Sequence, residues 1–251
     1  MAFSALRPIS MPGILLLGHL SAGVTGAAEP SQSTEAPVVG PLLALLPMGP
    51  KINVQMVFDI PCVWSYFTYA RLQRALARFR ASGGQAELTF RPYQLVPDAT
   101  IEGRLKVDVL RHAFGDDAEH SIARIAALAS DEGLTFHPER AVHSNTFQAH
   151  RLIAVASAQG CGEDMTERLF RAHHTDQLNL ADLDTLKTLA AEIGVGWSDE
   201  GIARTREELA LTQRLGVHGI PILQFEGQPA LTGTPSEDSL LTALRSAVGR
   251  R

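Results

Sequence analysis

A chain of 251 residues, 45% hydrophobic and 20% charged, is long enough to bury a real core and is neither fibrous nor disordered overall. A net charge of -5, with arginines spread along the chain instead of gathered in a tract, leaves no basic field for a phosphate backbone, so no nucleic acid partner is expected. Two cysteines make no disulfide framework, and no Cys/His spacing has the form of a zinc site, so no metal is expected either.

Residues 1–50 are small, apolar and nearly uncharged, and read as an extension outside the fold. Ile14-Leu15-Leu16-Leu17, with a small-residue run over 21–28, carries part of a signal-peptide pattern. Pro12, Gly18 and His19 interrupt the apolar run, which is too short to span a bilayer, and no membrane partner is expected. The expected location is cytoplasmic, with export as the alternative if residues 1–28 act as a signal. Met48, just ahead of the first strand, is a second candidate start.

From Lys51 the pattern turns regular. Ile52, Val54, Met56 and Phe58 alternate with Asn53, Gln55 and Val57, which predicts a strand over 52–58 with a buried face. Tyr66, Tyr69, Leu72, Ala75, Leu76 and Phe79 recur at helical spacing, which predicts a helix over 62–81. A turn at Ser82-Gly83-Gly84 leads to a second strand over 86–91, and the unit predicts parallel βαβ pairing. From Pro97 to about Ser198 every periodic segment reads as helical. A cap at Ser144-Asn145-Thr146 opens one helix, and others run over 165–174 and 182–193. Strands return as a hairpin, 222–225 and 230–232, and an amphipathic helix over 236–248 closes the chain. The predicted organisation is an α/β domain in two halves, 51–97 and 203–251, with an all-helical insertion over 98–202.

The chemistry centres on Phe58-Asp59-Ile60-Pro61-Cys62-Val63-Trp64-Ser65-Tyr66. Cys62 falls at a helix N-terminus, where free N–H groups and the macrodipole favour an anion. Lowering a thiol from ~8.5 to ~6 raises its thiolate fraction at neutral pH roughly thirtyfold, while lost nucleophilicity leaves only a two- to threefold gain in attack. The larger gain is in departure, because a stabilised thiolate leaves a mixed disulfide readily. Ser65 holds the place of a second cysteine; its hydroxyl can donate to a thiolate but cannot resolve a disulfide. The competing reading makes Cys62 a buried small hydrophobe. Trp64 is a candidate apolar wall for substrate, whereas Tyr66 points back into the core. Asp59 would stabilise the helix start and oppose ionisation of Cys62. His173-His174, an adjacent pair on a helical stretch, reads as a solvated surface.

Gly216-Val217-His218-Gly219-Ile220-Pro221, ahead of the last hairpin, is a setting for a cis X-Pro bond. With Cys62-Val63-Trp64-Ser65 it resembles the active-site pair of the DsbA-like thioredoxin-fold proteins, in particular their FrnE-like branch. Arg91-Pro92-Tyr93-Gln94-Leu95, the block 145–152, Leu169-Phe170-Arg171-Ala172 and Thr232-Gly233 extend the resemblance along the chain. It implies a thioredoxin fold with a helical domain inserted between its βαβ and ββα halves. It also implies a thiol-disulfide oxidoreductase in which Cys62 reacts, Pro221 shapes the adjoining surface, and the Ile220 backbone pairs with an extended substrate or glutathione. Asn145, His150 and Arg151 match a block of the branch. They read either as substrate-cleft residues, Asn145 and Arg151 foremost, or as a helix cap and polar packing.

Most relatives carry cysteine where Ser65 stands, so monothiol chemistry with glutathione or another external thiol is expected in place of dithiol oxidation. No tightly bound cofactor is implied; the partners are glutathione or thiol- and disulfide-bearing proteins, with the oligomeric state open, homodimer included. The first alternative is a glutathione-dependent isomerase or transferase, as in the related 2-hydroxychromene-2-carboxylate isomerases and kappa-class glutathione transferases. The second is a non-catalytic binding protein. Cys161, in a Gly-flanked turn, is the remaining thiol that could resolve a mixed disulfide if it came within reach.

Overall fold

Alternation in the first strand sets the sheet. In β1 (Lys51–Phe58) the side chains of Ile52, Val54, Met56 and Phe58 are fully buried, and the strand occupies a central position in the computed structural model, which describes residues 51–249. The signal-like pattern and Met48 lie outside the described residues. Helix α1 (Val63–Ala81) crosses to β2 (Gln85–Pro92), which pairs with β1 in parallel from Lys51 opposite Gln85 to Phe58 opposite Pro92. On the other side of β1 lies β5 (Ile222–Phe225), antiparallel, with β6 (Leu231–Thr232) at the edge. The sheet order is β2-β1-β5-β6, and α8 (Glu237–Val248), capped by Ser236, closes the chain against α1. A mixed α/β architecture with this sheet is the one expected, with β6 short enough for Pro229 to precede it at the edge.

Between β2 and β5 the chain is not wholly helical. A two-residue ribbon, β3 (Arg104–Leu105) against β4 (Val142–His143), ties the start of α2 (Lys106–Phe114) to the segment that follows α3 (Ala118–Asp131). Two-residue strands have no periodicity to detect, so sequence pattern misses them. Gly103 makes the ribbon's approach feasible: its φ is +65°, and a Cβ there would stand 2.6 Å from Val142 and 2.7 Å from the His143 carbonyl oxygen. The block continues with α4 (Phe147–Ala158), α5 (Gly162–His174), α6 (Leu183–Glu192) and α7 (Ile202–Arg214).

One hydrophobic core runs through both the sheet and the helical block. Phe58 of β1, Tyr66 and Tyr69 of α1, and Leu169 and Phe170 of α5 are all members. Phe170 stacks on Tyr66 at 5.1 Å between centroids and touches Phe58 and Tyr69 at 5.5 and 5.4 Å. A satellite cluster packs Val63 and Phe67, in the first turns of α1, against Ile125, Ala129 and Phe136. The start of α1 is therefore clamped by the insertion as well as by the sheet.

Candidate active site

Cys62 is the N-cap residue of α1, with extended backbone and no side-chain cap. The residue is only 8% exposed. Burial pushes the Cys62 thiol up, and this outweighs the Ser65 hydroxyl and the Ser65 and Trp64 N–H groups, which favour the thiolate; the charge of Asp59 adds to the upward push. The expected depression of its pKa is therefore reversed: the helix N-terminus acts in the predicted direction, and desolvation exceeds it. The Ser65 hydroxyl is fully buried and, apart from the Cys62 sulfur, has no hydrogen-bond partner. Trp64 is half-buried and meets Phe67 edge-on at 5.8 Å, beside the thiol.

The second predicted element is present at the same end of the sheet. The Ile220–Pro221 peptide bond is cis, and the register, with Val57 opposite Ile222, carries Pro221 to the end of β1 from which the Cys62 loop departs. Pro221 is buried and its carbonyl accepts from Gly233 N–H at 3.2 Å; Gly233 in turn accepts from the Thr68 hydroxyl of α1 at 3.1 Å. Ile220 is half-buried.

Asn145 and Arg151 are used differently. Asn145 Oδ1 accepts from Phe147 N–H at 3.0 Å and from Gln94 Nε2 at 3.2 Å, and its Nδ2 donates to the Pro97 carbonyl at 2.9 Å. It satisfies the first N–H of α4, whose N-cap residue is Thr146, and ties down the chain after β2. Arg151 donates to Gln148 Oε1 and to the Ser198 carbonyl, with its guanidinium 4.3 Å from the Trp197 ring centroid. Every one of these partners belongs to α4 or the 197–200 segment, so the structure does not bring Arg151 to the thiol. Cys161 is the N-cap of α5, whose far end, His174, adjoins the Cys62 loop. Thirteen helical residues rising about 1.5 Å each separate the two ends by roughly 20 Å, far beyond disulfide reach. A groove of about 460 Å³ runs along β2, α4 and α7 and is lined by none of Cys62, Ser65 or Pro221.

Behind the thiol lies a polar layer of which sequence reasoning named Asp59 and His150 but missed Lys106. The Asp59 carboxylate, fully buried, accepts from Ile60 N–H (3.0 Å), Leu95 N–H (2.8 Å) and His150 Nε2 (3.1 Å). The same His150 nitrogen is 2.9 Å from the Tyr93 carbonyl; both neighbours are acceptors, so Nε2 carries the proton. His173 and His174, expected on a solvated surface, are instead buried, His174 stacked on Tyr66 at 5.0 Å. The signal was present: Met165, Leu169, Phe170 and Ala172 place both histidines on or beside the apolar stripe of α5. Lys106, in the first turn of α2, is buried with its Nζ 3.0 Å from the Pro61 carbonyl, 3.0 Å from His173 Nε2 and 3.2 Å from His174 Nδ1. Nothing in its sequence neighbourhood marks it. Among the described residues, no group of three or more His, Cys, Asp or Glu is arranged to hold a metal ion, and no helix is long and apolar enough to cross a membrane.

Comparison with curated protein sequences gives no match. Solved structures give several. A probable DsbA oxidoreductase from Streptomyces coelicolor superposes with a TM-score of 0.70 at 25% identity, covering 80% of this chain and 91% of that one. The cytosolic disulfide reductase DsbM from Pseudomonas aeruginosa, solved with GSH, gives 0.54 at 19% identity over 78% and 99%. A 2-hydroxychromene-2-carboxylate isomerase gives 0.53 at 17% identity over 79% and 95%. Residues 53–245, which span the central sheet, the helical block and most of the closing helix, match one domain family. The chain belongs to the DSBA-like thioredoxin domain family, whose members are oxidoreductases or isomerases.

Proposed function

We propose that this protein is a monothiol disulfide oxidoreductase of the FrnE-like branch, with Cys62 as the reacting sulfur and glutathione as the external thiol. The observation that carries the reading is the pairing of a cysteine at the start of α1 with the cis Ile220–Pro221 bond at the same sheet end, where position 65 offers a hydroxyl and no second thiol. Family membership and the likeness to a disulfide reductase solved with GSH support it. In the proposed cycle the Cys62 thiolate attacks the glutathione sulfur of a glutathionylated substrate. A Cys62–glutathione disulfide forms and the substrate leaves as a thiolate, which takes up a proton. A second glutathione thiolate then attacks that disulfide, giving glutathione disulfide and regenerating the Cys62 thiolate. Ser65, with its hydroxyl uncommitted, donates to sulfur whenever sulfur is anionic, and Trp64 and the Ile220 backbone hold the incoming peptide.

A second reading is favoured by the same uncommitted hydroxyl. In a glutathione-dependent isomerase or transferase the anion to be stabilised is the thiolate of bound glutathione, and Ser65 would serve there. One experiment separates the two: the protein and its Cys62→Ser variant are incubated with a glutathionylated substrate and read by intact mass. An enzyme–glutathione adduct that disappears in the variant supports the oxidoreductase. Isomerase or transferase turnover that survives the substitution, with no adduct at any redox poise, replaces it with the second reading.

A further inference from the structure

The strongest unassigned feature is the buried amine behind the Cys62 loop. An ammonium carries three protons and no acceptor, and Lys106 Nζ has three neighbours within hydrogen-bond distance. Pro61 O can only accept. His174 Nε2 lies 2.8 Å from the Ile60 carbonyl and must donate to it, so its Nδ1 is unprotonated in the neutral ring and accepts from Lys106. His173 Nε2 completes the set if its proton sits on Nδ1. Three acceptors meet three donors, and the Phe136 ring lies 5.6 Å from the amine as a fourth wall. The Pro61 carbonyl, and the Ile60 carbonyl that orients His174, belong to the two residues preceding Cys62.

We propose that Lys106 is a positioning residue for the Cys62 thiolate: an ammonium caged by His173, His174 and the Pro61 carbonyl, supplying the counter-charge that lets a buried sulfur ionise. The inference rests on Cys62 being the reacting thiol. With the ammonium already in its cage, ionisation of Cys62 releases one proton from sulfur to solvent and leaves a thiolate paired with the buried cation in place of a cation alone. Burial lowers Lys106 to about 7 against the opposing pull of Cys62 and Asp59, and burial raises Cys62, so desolvation penalises each charge on its own and pairing the two charges offsets that penalty. The titratable groups facing the amine are Cys62 and Asp59 from the β1–α1 loop, His143 from β4, and His173 and His174 from α5. Asp59 is occupied by His150 of α4, and Arg104 of β3 is solvent-exposed. The histidines are pushed well down by burial, and the charge of Lys106 adds to this, so they serve as neutral acceptors.

The test is the pH dependence of Cys62 alkylation by iodoacetamide in the full chain, in a Cys161→Ser background so that a single thiol is read. Lys106→Met removes the charge at similar volume; Lys106→Gln removes it while keeping polar contacts for the cage. A unit charge hydrogen-bonded to the carbonyl of the residue before Cys62 is, at an effective dielectric of ~20, worth roughly one pKa unit or more, so each variant should raise the midpoint by about one unit and slow alkylation at pH 7 about tenfold. An unchanged midpoint in either variant, with native circular dichroism, overturns the inference. Reciprocity supplies a reading that needs no Lys106 variant: Cys62→Ser should lower the NMR-detected titration of the Lys106 amine by a similar amount, and an unmoved amine overturns the inference equally. Alkylation involves no glutathione. A shifted midpoint without a glutathione adduct therefore retires the proposed function and leaves this inference standing, and an adduct with an unshifted midpoint does the reverse.

Discussion

Replacing Asp59 by alanine should make the protein less stable and its thiol more acidic at the same time. The carboxylate serves three donors: Ile60 N–H, Leu95 N–H and His150 Nε2–H. His150 keeps the Tyr93 carbonyl, so two backbone N–H groups lose their acceptor outright. A buried donor left unpaired costs about 1–3 kcal/mol, which puts the gross loss at about 2–6 kcal/mol. Part returns, because a desolvated carboxylate no longer has to be buried, and a net loss of about 3 kcal/mol is expected. With a urea m-value at the upper end of the usual range, ~3 kcal/mol/M, the unfolding midpoint should fall by about 1 M. The negative charge that helps push Cys62 up is removed by the same change, so the alkylation midpoint of the thiol should move down. Equilibrium urea unfolding and iodoacetamide kinetics on one preparation read both quantities. An unchanged urea midpoint, or an alkylation midpoint that rises, would refute this account of the carboxylate.

Acid should destabilise the fold through the histidine pair. Burial holds His173 and His174 well below their ordinary value of 6.5, so as pH falls through that value the unfolded chain binds protons that the folded chain does not, and stability drops. The melting temperature should decline from pH 7 to pH 5, the decline should flatten in a His173→Gln, His174→Gln double variant, and an unflattened profile would count against it. Phe170→Ala, at a fully buried ring touching Phe58, Tyr66 and Tyr69, should cost about 3–5 kcal/mol by chemical denaturation; a loss below about 1 kcal/mol would mean that the shared core is not continuous there.

The sheet was legible because its strands obey a period of two: Ile52, Val54, Met56 and Phe58 point one way and are all buried. The hairpin was legible through turn chemistry, and the closing helix and α6 through helical periodicity; the structure shows their predicted first residues, Ser236 and Asp182, to be caps, Asp182 accepting from the Asp184 and Thr185 N–H groups. The candidate site was half legible. Cys62 and Pro221 announce themselves by residue type at element boundaries, and the fold brings their segments to one end of the sheet. What the pattern could not express is how much solvent survives around the sulfur, since that depends on Val63 and Phe67 meeting Ile125 and Phe136 from another part of the chain. Lys106 was invisible for the same reason. A lysine at a helix start looks solvated until the tertiary fold encloses it, and its cage comes from residues 61, 173 and 174.

The amine and both imidazoles come from α2 and α5, whereas the sulfur comes from the junction of β1 and α1. A fragment made of the sheet, α1 and α8 alone would keep the thiol yet strand the Ile60 and Pro61 carbonyls that those side chains now engage. The insertion is thus the other wall around the sulfur, and grafting the sulfur loop onto a foreign scaffold would transplant the cysteine without the side chains that enclose it.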